Sequence, residues 1–207
     1  YDAPAYSLPL LNSKYASFAK ERMSRSEKLA ALTRAASELT SPEAPDWQYI
    51  AARLLNYTYR EQLSREMQKL GLNTLFEKLE YFTREGLYGE YLITNYSKAE
   101  IDAAAAFIDN TRDTKFTFAG LDLLLSRYCL HTRRYEPIET PQEMFLLISL
   151  HLAMNEKSER MQWVKKFYDM LSKMEVTMAT PTLANARKPY HQLSSCFIDT
   201  VPDSLDG

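Results

Sequence analysis

Between Ala179 and Gly207 the chain gathers hydroxyls, a thiol and carboxylates at close spacing: Thr180-Pro181-Thr182, then Gln192-Leu193-Ser194-Ser195-Cys196, then Asp203-Ser204-Leu205-Asp206. A thiol such as Cys196 does redox work when it is accessible and has a second thiol with which to form a disulfide. The competing reading is a buried structural cysteine, because free Cys is among the most buried residue types. Thr180 directly precedes Pro181, which biases it toward an extended backbone. Hydroxyls and amides held in an extended loop can receive phosphate oxygens without a basic patch, and an ordinary strand-to-loop corner is the plainer alternative. Asp203 can cap a helix that starts at Ser204, or accept a sugar hydroxyl as acidic side chains do in dinucleotide sites. His131, His151 and His191 show no metal-ligand spacing, so no metal site is expected.

Helices must supply the frame for these groups. Tyr15, Phe18, Met23, Leu29, Leu32, Ala36 and Leu39 recur at three- and four-residue steps, which predicts one long helix from Ser13 to Thr40 or two broken near Ser24-Arg25-Ser26. Ser41-Pro42-Glu43-Ala44-Pro45 stops that pattern, and Pro45 suits the first turn of a helix running to about Leu70. Gly71-Leu72-Asn73 ends it, and another helix is predicted from about Thr74 to Gly86. Ser97-Lys98-Ala99-Glu100 is a capping box introducing Ile101 to Asp109. A further helix is predicted over Phe118 to Leu130, followed by a turn or short hairpin at His131 to Glu136. Thr140-Pro141-Gln142-Glu143 combines a cap, a first-turn proline and a capping-box glutamate, and Ser158 to Met174 reads as the last long helix. Past Glu175 the periodicity changes to alternation at Val176 and Met178, and Leu193 to Val201 has strand-like content. The fold class expected is therefore mainly α with the first strands of an α/β unit at the end, and the expected divisions are 1–40, 41–174 and 175–207.

Composition narrows the function classes. A 207-residue chain can bury roughly 70% of its unfolded surface without metal or disulfide staples. The net charge of −2, from 25 basic and 27 acidic side chains, supplies no field that would collect nucleic acid or a membrane surface. No apolar run approaches the length of a membrane span; the best, Met144 to Met154, is interrupted by Ser149 and His151. Two cysteines, Cys129 and Cys196, are too few for a disulfide framework and point to a reducing, cytoplasmic setting. The first residue is Tyr rather than Met, so the chain is expected to begin inside a longer protein. A small thiol oxidoreductase is disfavoured by the absence of a Cys-x-x-Cys motif.

Taken in order and spacing, the three polar segments resemble the opening of the catalytic barrel in class I ribonucleotide reductase large subunits. Ala44-Pro45-Asp46-Trp47-Gln48-Tyr49-Ile50-Ala51-Ala52-Arg53-Leu54 is similar to that family's helical-domain signature. Phe107-Ile108-Asp109 with Arg112-Asp113 and Phe116, and Val164-Lys165-Lys166-Phe167-Tyr168-Asp169, extend the likeness over residues 30 to 207. The resemblance implies a helical N-terminal domain leading into a ten-stranded α/β barrel, and reduction of ribonucleotides to deoxyribonucleotides by thiyl-radical chemistry with a redox-active cysteine pair. Residue by residue it implies that Cys196 is one member of the reducing pair, its partner lying downstream, that Thr180 is near the substrate phosphates, and that Ser195 is beside the ribose. Asp203, Ser204 and Leu205 would begin an allosteric specificity site for a deoxynucleoside triphosphate or ATP. Cys129 matches no redox position and reads as structural.

Leu29 to Leu39 resembles the last helix of the family's nucleotide-binding cone, but the basic hairpin that opens the cone has no counterpart, so no activity-regulating site is expected. No cofactor is implied in this chain; the radical would come from a metal-containing small subunit. The implied partners are that small subunit, a second large subunit in a homodimer, thioredoxin or glutaredoxin, and a ribonucleoside diphosphate substrate. The alternative class is a non-catalytic helical assembly module, or one piece of a split reductase subunit.

Overall fold

Four helix starts are fixed by reciprocal capping boxes, in which a hydroxyl accepts from the backbone three residues on while a glutamate returns the bond: Ser24 with Glu27, Thr74 with Glu77, Ser97 with Glu100, and Thr140 with Glu143. The computed structural model describes residues 4–199. Its helices are α1 (Leu8–Ala16), α2 (Arg25–Glu38), α3 (Trp47–Leu70), α4 (Leu75–Arg84), α5 (Tyr91–Asn95), α6 (Lys98–Ala105), α7 (Phe118–Leu123), α8 (Pro141–Ala153), α9 (Arg160–Ser172) and α10 (Thr180–Asn185). The first periodic stretch is thus two helices, because Ser24 satisfies amides at a new start. Gly71 closes α3 at φ 69°, a left-handed conformation that glycine adopts without a Cβ penalty.

Three expectations require correction. The helix after Ser97 stops at Ala105 rather than Asp109, whose carboxylate instead accepts from the Thr111 amide and starts a 3-10 turn at Asn110–Lys115. The helix predicted from Phe118 to Leu130 keeps α-helical bonding only to Leu123, then widens into a π-turn over Leu124–Tyr128 that ends with the Cys129 amide donating to the Leu124 carbonyl. Past Glu175 there is no strand among the described residues. Extended backbone becomes a strand only when a neighbouring ladder accepts its hydrogen bonds, and Pro181, which needs no amide partner in a first turn, favours the short helix α10. The segment at His131 to Glu136 is a hairpin turn, closed by an antiparallel bridge between His131 and Pro137.

α8 lies at the centre. Eleven of its thirteen residues are buried, Glu143 and Leu152 being the exceptions, and it packs against α9, α6, α10 and the 3-10 turn. A helix apolar on nearly every face belongs in the interior of an all-helical layer. The main core runs from Ala52 in α3 to Ala186, just past α10. A smaller cluster of Leu11, Ala35, Ala36, Ala44, Trp47 and Ala51 joins α1, α2 and the start of α3. There Trp47 Nε1 donates to the Ala5 carbonyl at 2.8 Å, tying the first residues of the described chain down. No helix among the described residues is long and apolar enough to cross a membrane.

Candidate functional site

A buried ion pair anchors the segment that carries the candidate residues. Glu139, between the hairpin turn and α8, and Arg187, just beyond α10, are both fully buried. Arg187 Nε donates to the two Glu139 carboxylate oxygens at 2.8 and 2.9 Å, and its Nη2 also reaches the carboxylate. The remaining carboxylate capacity is met by the Leu130 amide at 2.8 Å and the Tyr88 hydroxyl at 3.0 Å. Arg187 Nη1 donates to the Leu183 carbonyl at 2.6 Å and Nη2 to the Tyr128 carbonyl at 2.5 Å. Burying two charges is tolerable only when the geometry is good and the other lone pairs and protons are satisfied, as they are here. Burial works against the guanidinium's charge, but the Glu139 carboxylate outweighs it and holds Arg187 above its ordinary pKa.

Around this pair the backbone is pinned at several points. The Gly89 amide donates to the Arg187 carbonyl at 2.8 Å, and the Tyr91 hydroxyl donates to the Ala186 carbonyl at 2.6 Å. Asn185 Nδ2 donates to the Gln192 carbonyl at 3.0 Å, folding the following loop back on α10. Among the described residues Leu193 is the last packed against the main core, and 194–199 are exposed.

The sequence-predicted residues divide accordingly. Thr180 is exposed as the first residue of α10, not in an extended loop, and its hydroxyl lies 3.2 Å from the Tyr128 hydroxyl. Ser195 and Cys196 are exposed on irregular backbone, with Ser195 Oγ 3.7 Å from Cys196 Sγ. No hydrogen bond among the described residues links Thr180 to that pair. Asp203, Ser204 and Leu205 lie outside the described residues. The cleft of about 790 Å³ between α3, α4 and the hairpin turn, lined by Lys69, Tyr81 and Arg133 among others, touches none of the candidates.

Both cysteines are free, one exposed and one buried. Burial, reinforced by the nearby Glu139 carboxylate, pushes the Cys129 thiol well above its ordinary pKa, which keeps it protonated and a poor nucleophile. Accessibility therefore separates the two thiols. Among the described residues no group of three or more His, Cys, Asp or Glu is placed to hold a metal ion.

Sequence reading missed Glu139, Arg187 and Tyr128. The pair is separated by 48 residues, and neither residue breaks a local pattern strongly enough to signal burial. The one available cue was a charge inside otherwise small and apolar runs, Leu183-Ala184-Asn185-Ala186-Arg187 and Pro137-Ile138-Glu139.

A ring cluster of Tyr91, His151 and His191 sits beside the pinned loop, with the two imidazole centroids 5.4 Å apart. His151 Nδ1 is buried without a hydrogen-bond partner among the described residues. Burial, with His191 adding, lowers its pKa below the usual imidazole value. A depressed folded-state pKa means that the neutral ring's contribution is present above the unfolded pKa of about 6.5 and is lost as pH falls through the folded pKa. An imidazole NMR titration is expected to place the His151 midpoint below about 6.5; a midpoint above that value would contradict the burial argument.

Residues 114–191 match the family model described as ribonucleotide reductase, all-alpha domain. The alpha subunit of ribonucleoside-diphosphate reductase from Treponema pallidum is 55% identical over 204 residues, covering 99% of this chain and 24% of that protein. The alpha subunits from Helicobacter pylori and Escherichia coli K12 are 34% and 32% identical, over 91% and 85% of this chain and 23% of each relative. The chain thus spans about a quarter of the length of the relatives it matches. Near-complete coverage of this chain at 55% identity, together with the all-alpha match over the helices that bury Glu139 and Arg187, places it: the chain belongs to the family of ribonucleotide reductase large subunits, as an N-terminal portion that includes the all-alpha domain.

Proposed function

We propose that the chain is part of a ribonucleoside-diphosphate reductase large subunit that makes deoxyribonucleotides, and that Cys196 is one thiol of its reducing pair. The observation that carries the reading is the contrast between Cys196, exposed beside Ser195, and Cys129, sealed in the core. Replacing a ribose C–OH by C–H consumes two electrons. Two thiols supply them, becoming one disulfide as the hydroxyl leaves as water, and a reductant thiol then restores the pair by exchange. The second thiol must come within disulfide reach, with Cα atoms less than about 7 Å apart. The buried Cys129 is not offered for that role, and the resemblance to ribonucleotide reductase large subunits implies a partner sulfur downstream.

In this reading 41–174 form the helical domain, 175–207 enter the α/β barrel, and 1–40 precede both, with 29–39 akin to the end of a nucleotide-binding cone. Thr180 stands toward the substrate phosphates, Ser195 beside the ribose, and Asp203, Ser204 and Leu205 begin an effector site for a deoxynucleoside triphosphate or ATP. The working assembly would be cytoplasmic and include a second large subunit, a metal-containing small subunit that supplies the radical, and thioredoxin or glutaredoxin.

The test is reconstitution. The full-length large subunit, mixed with its small subunit and a dithiol, is expected to convert ribonucleoside diphosphates to deoxyribonucleotides, whereas the 207-residue chain in its place is expected to give none. A full-length protein that binds its small subunit but forms no deoxynucleotide would sink the assignment.

A further inference from the structure

We propose that Arg187, held by Glu139, is a positioning residue that sets where α10 presents the Thr180 hydroxyl to the substrate; the inference rests on the assignment of Thr180 to the phosphate side. α10 has no side-chain cap at its N-terminus, so its own start does not fix Thr180. The fixing comes from the other end. A single guanidinium spans the Glu139 carboxylate, the Leu183 carbonyl within α10 and the Tyr128 carbonyl of the π-turn.

Tyr128 closes the frame, because its carbonyl accepts from Arg187 while its hydroxyl meets Thr180 at 3.2 Å. A six-residue helix rises only about 9 Å, so one tyrosine can be bonded to the anchor past one end of α10 and to the first residue at the other. Both members of the ion pair are fully buried, which keeps water from competing for these bonds. The planar fork of arginine makes them simultaneously; a lysine ammonium in the same space lacks the geometry to do so.

The experiment uses the full-length large subunit assembled with its small subunit, measuring kcat and KM for a ribonucleoside diphosphate. A grip on phosphates remote from the reacting carbon is the same in ground and transition states, so weakening it raises KM and spares kcat. Arg187→Lys is expected to raise KM about tenfold and Tyr128→Phe about threefold, each with kcat within about twofold of the parent. Thr180→Val, which tests the phosphate assignment itself, is expected to raise KM at least as much as Tyr128→Phe.

Parent KM in Arg187→Lys and Tyr128→Phe alongside a raised KM in Thr180→Val would overturn the positioning role and leave the phosphate assignment standing. Parent KM in Thr180→Val would overturn both. A loss of kcat or of active fraction at constant KM would mark the ion pair as structural only. Tyr128→Phe leaves the buried pair intact, so it decides the matter if Arg187→Lys fails to fold.

Discussion

Cys196→Ser in the full-length large subunit is expected, on the proposed assignment of Cys196 to a reducing pair, to abolish multiple turnover with a dithiol reductant, lowering it on the order of a hundredfold or more because no second sulfur remains to close a disulfide. Serine keeps the size and a hydrogen-bonding hydroxyl beside Ser195, so the local backbone has no reason to move. What is lost is the ability to give up an electron pair by forming an S–S bond. Cys129→Ala supplies the contrast: its thiol is buried and held protonated, and turnover per folded enzyme is expected to survive its removal. Steady-state deoxynucleotide formation with thioredoxin or dithiothreitol measures both, and full activity in Cys196→Ser would remove that residue from the mechanism.

Glu139→Ala is expected to destabilise the chain by about 3–5 kcal/mol, the cost of leaving one partner of a buried ion pair uncompensated. That is a large share of the roughly 5–15 kcal/mol by which domains are stable. Three groups are stranded together: the Arg187 guanidinium, the Leu130 amide and the Tyr88 hydroxyl. An exposed pair such as Lys98 with Asp102 is a different case, worth about 1 kcal/mol or less because solvent screens it. Urea unfolding followed by circular dichroism checks the prediction, and a shift below about 1 kcal/mol would mean that water reaches the site and replaces the carboxylate.

Helix starts were the most legible part of the fold because their signals are local. Ser97 with Glu100 and Thr140 with Glu143 can be read from spacing alone, and both cap their helices as expected. Ends were less legible: nothing in Leu124-Leu125-Ser126-Arg127-Tyr128 announces that bonding widens there into a π-turn. The strand-like alternation after Glu175 misled because a strand is a property of two segments and the alternation describes one. Pro181, read as a reason for extension at Thr180, instead occupies the first turn of α10.

The candidate site was legible in its motifs and opaque in its support. Thr180, Ser195 and Cys196 stand out as polar residues in a short run, whereas Glu139 and Arg187 acquire meaning only as a pair formed across 48 residues. The family match over 114–191 covers that pair and Thr180 but stops short of Ser195 and Cys196. The relatives in Treponema pallidum, Helicobacter pylori and Escherichia coli carry the likeness over most or nearly all of the chain.

The separation of Glu139 from Arg187 also has a bearing on biosynthesis. At about 5–20 residues per second a ribosome needs roughly 2–10 s to add 48 residues. Throughout that interval the nascent polypeptide holds an acid destined for the interior and lacks the base that neutralises it. The central helix therefore has an electrostatic reason to postpone final closure until the counter-charge emerges, and a synonymous codon change that slows translation between the two positions would lengthen exposure to aggregation and proteolysis.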